Sequence, residues 1–119
     1  MKYMLMMFGD GQAMAEAQSP DWVAEMIEFM HTLNAELAAS GELVDARGLD
    51  FPGNAKTVTR ADSGVVVTDG PFAEAKESLA GYWVFDVRDE ARAIELASQV
   101  VVWAQRVEIR EVPDGPPEQ

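Results

Sequence analysis

Two helical segments, each set between two strand-like segments, constrain the fold of this chain more than any other feature of its sequence. The first helix is predicted to begin at Ser19-Pro20-Asp21, where a serine N-cap, a proline and an acidic side chain favour a helix start. It is predicted to end at Ser40-Gly41, because glycine commonly follows the last turn of a helix. The apolar residues between these limits follow helical spacing: Trp22, Val23, Met26, Ile27, Met30, Leu33 and Leu37.

The second helical segment lies in the last third of the chain, and Asp89 is its predicted N-cap. Its apolar side is formed by Ile94, Leu96, Ala97, Val100, Val101 and Trp103. The strands that surround the two helices are predicted at 2–8, 42–48, 82–87 and 107–112. Two further short strands, 56–60 and 65–69, are joined by Ala61-Asp62-Ser63-Gly64 and predict a hairpin between the two halves.

This order, β-α-β, a hairpin, then β-α-β, predicts an α+β fold of the ferredoxin-like type. Both helices would cover one face of the sheet. The strands nevertheless carry apolar side chains on both faces, so the uncovered face needs a partner and a homodimer packed sheet to sheet is expected. At 119 residues we expect one domain, 1–112, followed by a mobile tail, 113–119, that contains three prolines.

The formal charge of −12 restricts the partners that the chain can have. Such an acidic chain is poorly suited to nucleic acid or to an anionic membrane surface, since both are bound through Lys and Arg. The apolar start, 1–8, is too short for a membrane span or a secretory signal. No cysteine is present, which excludes thiolate chemistry and fits a cytoplasmic protein, and the single histidine excludes a multi-histidine metal site within one chain.

The densest group of ionisable residues lies in the turn Asp69-Gly70-Pro71-Phe72-Ala73-Glu74-Ala75-Lys76-Glu77. Gly tolerates a positive φ and Pro fixes its own φ, so the segment predicts a rigid turn after the strand that ends at Asp69. Asp69 can act as a general base at a pocket rim, or it can cap the turn by accepting backbone N–H bonds. Glu74, Lys76 and Glu77 either form an acid/base and anchoring set or are a solvated surface turn.

Three candidates lie outside the turn. His31 borders the apolar side of the first helix, so it either flanks the core or shuttles protons with Asp69 or Asp45. Arg47 either binds a ligand carboxylate or forms a salt bridge at the sheet edge. Tyr82, with Phe72 and the three tryptophans, lines a pocket or packs in the core or an interface.

Two binding classes have little support. Gly9-Asp10-Gly11 is too short for a phosphate-binding fingerprint, and no helix is predicted directly after it. No spacing of His31 with acidic residues predicts a metal site, and no cofactor is expected.

With these residues in place, the chain resembles the YCII-related family, and within it the DGPF subgroup. The resemblance rests on Met1-Lys2-Tyr3-Met4-Leu5, on Gly48-Leu49 with Pro52, on Thr57-Val58, on 67–74, and on 76–87 with Gly81-Tyr82. It implies a ferredoxin-like domain that forms dimeric α+β barrels. It also implies a genetic association with extracytoplasmic-function sigma factors.

Two functions follow as expectations. The first is a small-molecule enzyme without an organic cofactor, in which Asp69 and His31 transfer protons and the ligand is bound by Arg47, Gly70, Pro71, Phe72, Glu74, Lys76, Glu77 and Tyr82. The second is a non-catalytic ligand-binding or regulatory module linked to sigma-factor signalling. A third reading makes the turn only a determinant of the fold or of the dimer.

Overall fold

The computed structural model of the chain describes residues 1–116, so the last part of the predicted tail, 117–119, lies outside the described residues. Its elements in chain order are β1 (Lys2–Phe8), α1 (Gly11–Ala17), α2 (Pro20–Ser40), β2 (Leu43–Gly48), β3 (Lys56–Ala61), β4 (Gly64–Asp69), β5 (Leu79–Asp86), α3 (Glu90–Ala104) and β6 (Val107–Val112). Single 3₁₀ turns lie at Pro52–Asn54 and Ala75–Glu77.

Four of the strands form one antiparallel sheet in the order β2-β5-β1-β6, and β3 pairs with β4 in a separate hairpin. Strand β1 is central, with Leu5 opposite both Trp83 of β5 and Ile109 of β6. Each helix-containing crossover returns the chain to this sheet, which is the arrangement of an α+β ferredoxin-like fold. The fold predicted from the order of segments is therefore confirmed.

Local capping chemistry explains where the two long helices begin and end. The Ser19 hydroxyl accepts a hydrogen bond from the Trp22 backbone N–H at 3.1 Å, and the Asp89 carboxylate accepts one from the Arg92 backbone N–H at 2.9 Å. Helix α2 ends at Gly41, whose φ of 80° is the left-handed conformation that glycine adopts without strain. All three boundary residues are those that the sequence predicts.

The core lies between the helices and one face of the sheet. The alternation along β1 and β5 buries Leu5, Trp83 and Phe85 on this face, against residues of α2 and α3 such as Leu37 and Leu96. The Trp83 indole N–H donates to the Asn34 side-chain oxygen on α2 at 2.6 Å. The opposite face carries Met4, Met6, Tyr82 and Val84, which are only partly buried because no helix covers them.

A bidentate ion pair fixes the start of α3 against the segment before β2. Arg92 donates from Nε and Nη2 to the two Glu42 carboxylate oxygens, each at 2.9 Å. These hydrogen bonds lower the pKa of the Glu42 carboxyl to about 2 and raise the pKa of the Arg92 guanidinium above its usual value.

Helix α1 differs from the sequence prediction, which placed no helix directly after Gly9-Asp10-Gly11. The Asp10 carboxylate accepts from the backbone N–H groups of Gln12 and Ala13, at 3.0 and 3.2 Å, and so caps a seven-residue helix. The N-cap signal was present in the sequence. The helix was missed because it is short and begins with glycine, a weak helix former.

The hairpin of β3 and β4, residues 56–69, is here called the arm. Its strands pair only with each other, and all of its residues are exposed except Thr57, which is partly buried. The chain measures 50 × 48 × 20 Å, a flat shape that fits one helix layer on one sheet with the arm attached. Among the described residues, no helix has both the length and the apolar character needed to cross a membrane.

Candidate functional site

An apolar cavity of about 230 Å³ lies where one end of the sheet meets the three helices. Its walls include four methionines and two tryptophans: Met7, Met14, Met26, Met30, Trp22 and Trp103. Among residues 1–116, none with an ionisable side chain lines it. Methionine side chains are flexible and polarisable, so such a cavity adapts its shape to an apolar ligand.

The three helices supply the cavity walls in different ways. Trp22, Met26 and Met30 recur every four residues on α2 and therefore share one helix face. Trp103, near the end of α3, packs edge-on against Trp22 with ring centroids 5.4 Å apart. Helix α1 brings Met14 to the opposite wall.

Small residues keep the sheet side of the cavity open. Gly48 and Ala80 line it, and the neighbouring Gly81 packs so closely that a Cβ there would lie 2.9 Å from the Arg47 carbonyl oxygen. Larger side chains at these positions would fill the cavity or displace β2. The cavity therefore depends on the choice of small residues where β2 and β5 pair.

A smaller cavity of about 120 Å³ adjoins the apolar one and supplies polar groups. The two share Met7, Met30 and Gly48, and the smaller one adds Asn34, Arg47 and Tyr82. An apolar space with a few polar groups at one end is the usual form of a small-molecule site.

Asp45 holds both predicted ligand-binding residues of this smaller cavity. The Tyr82 hydroxyl donates to one Asp45 carboxylate oxygen at 3.0 Å, and the Arg47 Nε lies 3.3 Å from the other. The hydrogen bond to the carboxylate raises the pKa of the Tyr82 phenol, because the protonated form is the donor. Arg47 lies beside Tyr82 as a mostly exposed cation.

The Asp69–Glu77 turn lies at a second concave region, here called the turn groove. This open groove of about 650 Å³ runs between residues 49–58 and 71–79. Pro71, Phe72 and Glu77 line it, opposite Asp50 and Phe51. The Phe72 side chain is 96% exposed, so it stands at the rim rather than in a pocket.

The turn itself is built by backbone geometry. Gly70 has a φ of 103°, which disfavours any residue with a side chain, and its N–H donates to the Ala55 carbonyl at 2.8 Å. The Thr57 hydroxyl donates to the Gly70 carbonyl at 2.8 Å. These contacts close the base of the arm.

The remaining charged residues of the turn lie apart from the apolar cavity. Glu74 is exposed, and its nearest cation is Lys76, with 3.7 Å between Nζ and the carboxylate. Lys76 also borders an open groove beside Asp10 and Arg106.

The two residues predicted to be catalytic, Asp69 and His31, do not contact each other. Asp69 is exposed and forms an ion pair with Lys56 across the arm. His31 is exposed on α2. Within residues 1–116 no hydrogen bond, ion pair or shared cavity links them, and no group of three His, Asp or Glu side chains is placed to hold a metal ion.

Sequence reasoning missed the apolar cavity, although it named several of its residues. Trp22, Met26 and Met30 were assigned to the apolar side of a helix, which they form, and Trp103 was weighed as core, interface or pocket. The available signal was the content of seven methionines in 119 residues, four of which line this one space.

A comparison with protein-family models matches residues 1–114 to the YCII-related domain. No curated protein matches the chain significantly. The match covers nearly the whole sequence and carries no activity of its own.

Proposed function

The chain belongs to the YCII-related family, and from this premise we propose that it is a homodimeric binding protein for a compact aromatic molecule. The ligand occupies the apolar cavity, and its polar end lies at Arg47 and Tyr82. The observation that carries the proposal is the cavity itself, whose lining is almost wholly apolar.

The volume sets the size of the ligand. A cavity of about 150 Å³ is known to hold benzene, so the 230 Å³ present here suits one or two fused rings. With the adjoining 120 Å³ the space reaches the lower end of ordinary ligand sites, roughly 300 Å³. Burying a charged group against this lining would be costly, which excludes ions and strongly polar metabolites from the cavity.

The adjoining polar groups orient the ligand. The Arg47 and Tyr82 side chains project from the face of the sheet opposite to the apolar cavity, so they meet the ligand only at the edge strand β2, where Arg47 offers N–H donors to a phenolate or carboxylate. This assignment keeps the ligand-binding roles predicted for Arg47 and Tyr82. It also fits a chain of charge −12, because one local cation can attract an anionic group that the rest of the surface repels.

The homodimer is supported by the uncovered face of the sheet. Met4, Met6, Tyr82 and Val84 share that face and remain partly exposed in a single chain. A second copy packed on it would bury these side chains, as the family resemblance implies.

Calorimetric titration with phenol, 1-naphthol and 1-naphthoate tests the binding proposal. We expect 1-naphthol to bind with a negative heat-capacity change, the sign of apolar burial. Ala15 is exposed and lines the cavity, so Ala15→Phe should obstruct it and weaken binding about tenfold or more.

The matched control is Ala35→Phe, an exposed alanine on α2 that borders none of the cavities described above. It should bind as wild type does. Equal affinities for the two variants, or no binding of any of the three probes to wild type, would refute the proposal.

A second candidate is a small-molecule enzyme that transfers protons at the turn. It is favoured by the turn groove, where the carboxylates of Asp50 and Glu77 face an open space beside Pro71 and Phe72. In this candidate the proton transfers fall to Asp50 and Glu77, because neither Asp69 nor His31 lines the groove, and Gly70, Glu74 and Lys76 shape the turn beside it. Glu77→Gln would then abolish turnover, whereas Asp69→Asn would not.

A further inference from the structure

One face of the arm carries three valines that no residue among 1–116 covers. Val58 lies opposite Val67, and Val65 lies opposite Arg60. Because side chains alternate along a strand, Val58, Val65 and Val67 share one face, which also carries Arg60 and the ion pair Lys56–Asp69. They are 62%, 71% and 60% exposed. A two-stranded hairpin is marginally stable in water, so this arm needs a further surface to pack on.

The valine face continues to the turn groove at the base of the arm. Val58 lines both the arm face and the groove, and Phe51, Pro52, Pro71 and Phe72 line the groove beyond it. Exposed apolar side chains in this number, with Asp50, Lys56 and Glu77 among them, indicate an interaction surface.

The size of the exposed surface indicates how much a partner covers. The chain exposes 8269 Å², whereas a compact monomer of 13.0 kDa exposes roughly 6,300 Å². The radius of gyration is 16.5 Å, against about 13.5 Å expected for a compact domain of this length. The excess area exceeds the roughly 800 Å² per partner that a stable interface buries.

Charge favours a second copy of this chain as the partner. The chain as a whole carries −12, but in the arm the cations Lys56 and Arg60 balance the anions Asp62 and Asp69. The arm therefore has no net charge. It can approach a second copy of this acidic chain with little electrostatic repulsion. The surface is also self-complementary, since it combines a projecting strand pair with an open groove.

We propose that the arm clasps a second copy of this chain, with its valine face and Phe72 packed into the turn groove of the partner, and reciprocally. Each turn groove is then closed by the partner's arm and is incomplete in a single chain. This inference rests on the homodimer proposed above, to which it adds the arm as a contact distinct from the open sheet face.

Sedimentation velocity over a range of concentrations tests the clasp with isosteric variants. Val65→Thr keeps the shape and strand preference of valine and adds a hydroxyl. Val102→Thr is the matched control, because Val102 on α3 is 72% exposed and Val65 is 71% exposed. We expect Val65→Thr to raise the dimer dissociation constant about tenfold, since each dimer loses the contact twice, and Val102→Thr to leave it unchanged.

A thiol-labelling experiment gives an independent measurement, because the chain contains no cysteine. Val67→Cys should react with a bulky maleimide at least about tenfold more slowly in concentrated than in dilute protein, as expected for a residue buried on association. Val102→Cys should react at the same rate in both. Phe72→Ser, at a side chain with almost no contacts in the single chain, should weaken the dimer without affecting folding.

The outcomes separate this inference from the proposed function. A wild-type dimer with unchanged dissociation constants for Val65→Thr and Phe72→Ser would overturn the clasp and leave the open sheet face as the interface. A wild type that is monomeric at all concentrations would overturn both the homodimer and the clasp. Binding of 1-naphthol to the cavity is measured separately, so its loss would not be mistaken for loss of the clasp.

Discussion

Gly81 is the residue at which the structure predicts the largest effect of a single added carbon. It lies on β5 opposite Gly48 of β2 and Met7 of β1. A Cβ on Gly81 would stand 2.9 Å from the Arg47 carbonyl oxygen, 3.2 Å from the Met7 Cε and 3.4 Å from the Gly48 Cα. The φ of Gly81 is not in the left-handed region, so the constraint is space rather than backbone conformation.

The magnitude follows from which neighbour can move. The Met7 tip can rotate away, whereas the Arg47 carbonyl belongs to the backbone of β2 and can move only with the strand. Overpacking of this kind costs about 1–3 kcal/mol. The fixed backbone contact places Gly81→Ala in the upper half of that range, about 2–3 kcal/mol. For a domain of this size, that lowers the midpoint of thermal unfolding by roughly 8–12 °C.

The assay is thermal and urea unfolding of wild type, Gly81→Ala and Gly48→Ala at one protein concentration, since association shifts the apparent stability. Gly48 is the control because a Cβ there meets no atom within 4 Å. Gly48→Ala should be neutral or stabilising by up to about 1 kcal/mol, through the lower entropy of the unfolded chain. Midpoints for the two variants within about 2 °C of each other would refute the reasoning.

Two further predictions concern charged residues. The folded-state pKa of Glu42 is about 2, below its usual 4.5, so its pairing with Arg92 stabilises the fold above pH 4.5 and is lost as the pH falls towards 2. Glu42→Gln should therefore cost about 1–2 kcal/mol in urea unfolding at pH 7 and almost nothing near pH 2, and a pH-independent cost would contradict this. Asp69 is 86% exposed and pairs with Lys56 at the surface, so Asp69→Asn should lower the unfolding midpoint by less than about 3 °C. A larger fall would show that Asp69 holds the turn together.

Local signals predicted the boundaries of the long elements. The helix boundaries depend on hydrogen bonds or backbone angles within a few residues of Ser19, Gly41 and Asp89. Their roles can therefore be predicted from the neighbouring residues in the sequence. The order of the segments then predicted the ferredoxin-like arrangement. In that arrangement the strands pair antiparallel and both helices lie on one face of the sheet, so every connection stays short. Helix α1 was not predicted because it is only seven residues long and begins with glycine, although Asp10 caps it through local hydrogen bonds.

The apolar cavity could not be predicted in the same way. A cavity is defined by space that side chains leave unfilled, and here that space depends on the distance between α1, α2 and the paired strands β2 and β5. The apolar spacing of Met26 and Met30 correctly placed them on the inner side of α2. It could not show that the side facing them is made of Gly48 and Ala80 rather than larger residues.

The Asp69–Phe72 turn sets the direction of the backbone at the base of the arm. Gly70 takes a φ of 103°, and its N–H and carbonyl bind Ala55 and Thr57 across the base of the arm. Pro71 then fixes the next φ and leads the chain to Phe72, whose side chain is left almost wholly exposed. Each residue of the motif thus sets the direction of the arm or the position of one aromatic side chain. The ionisable residue within the motif, Asp69, has Lys56 as its partner across the arm.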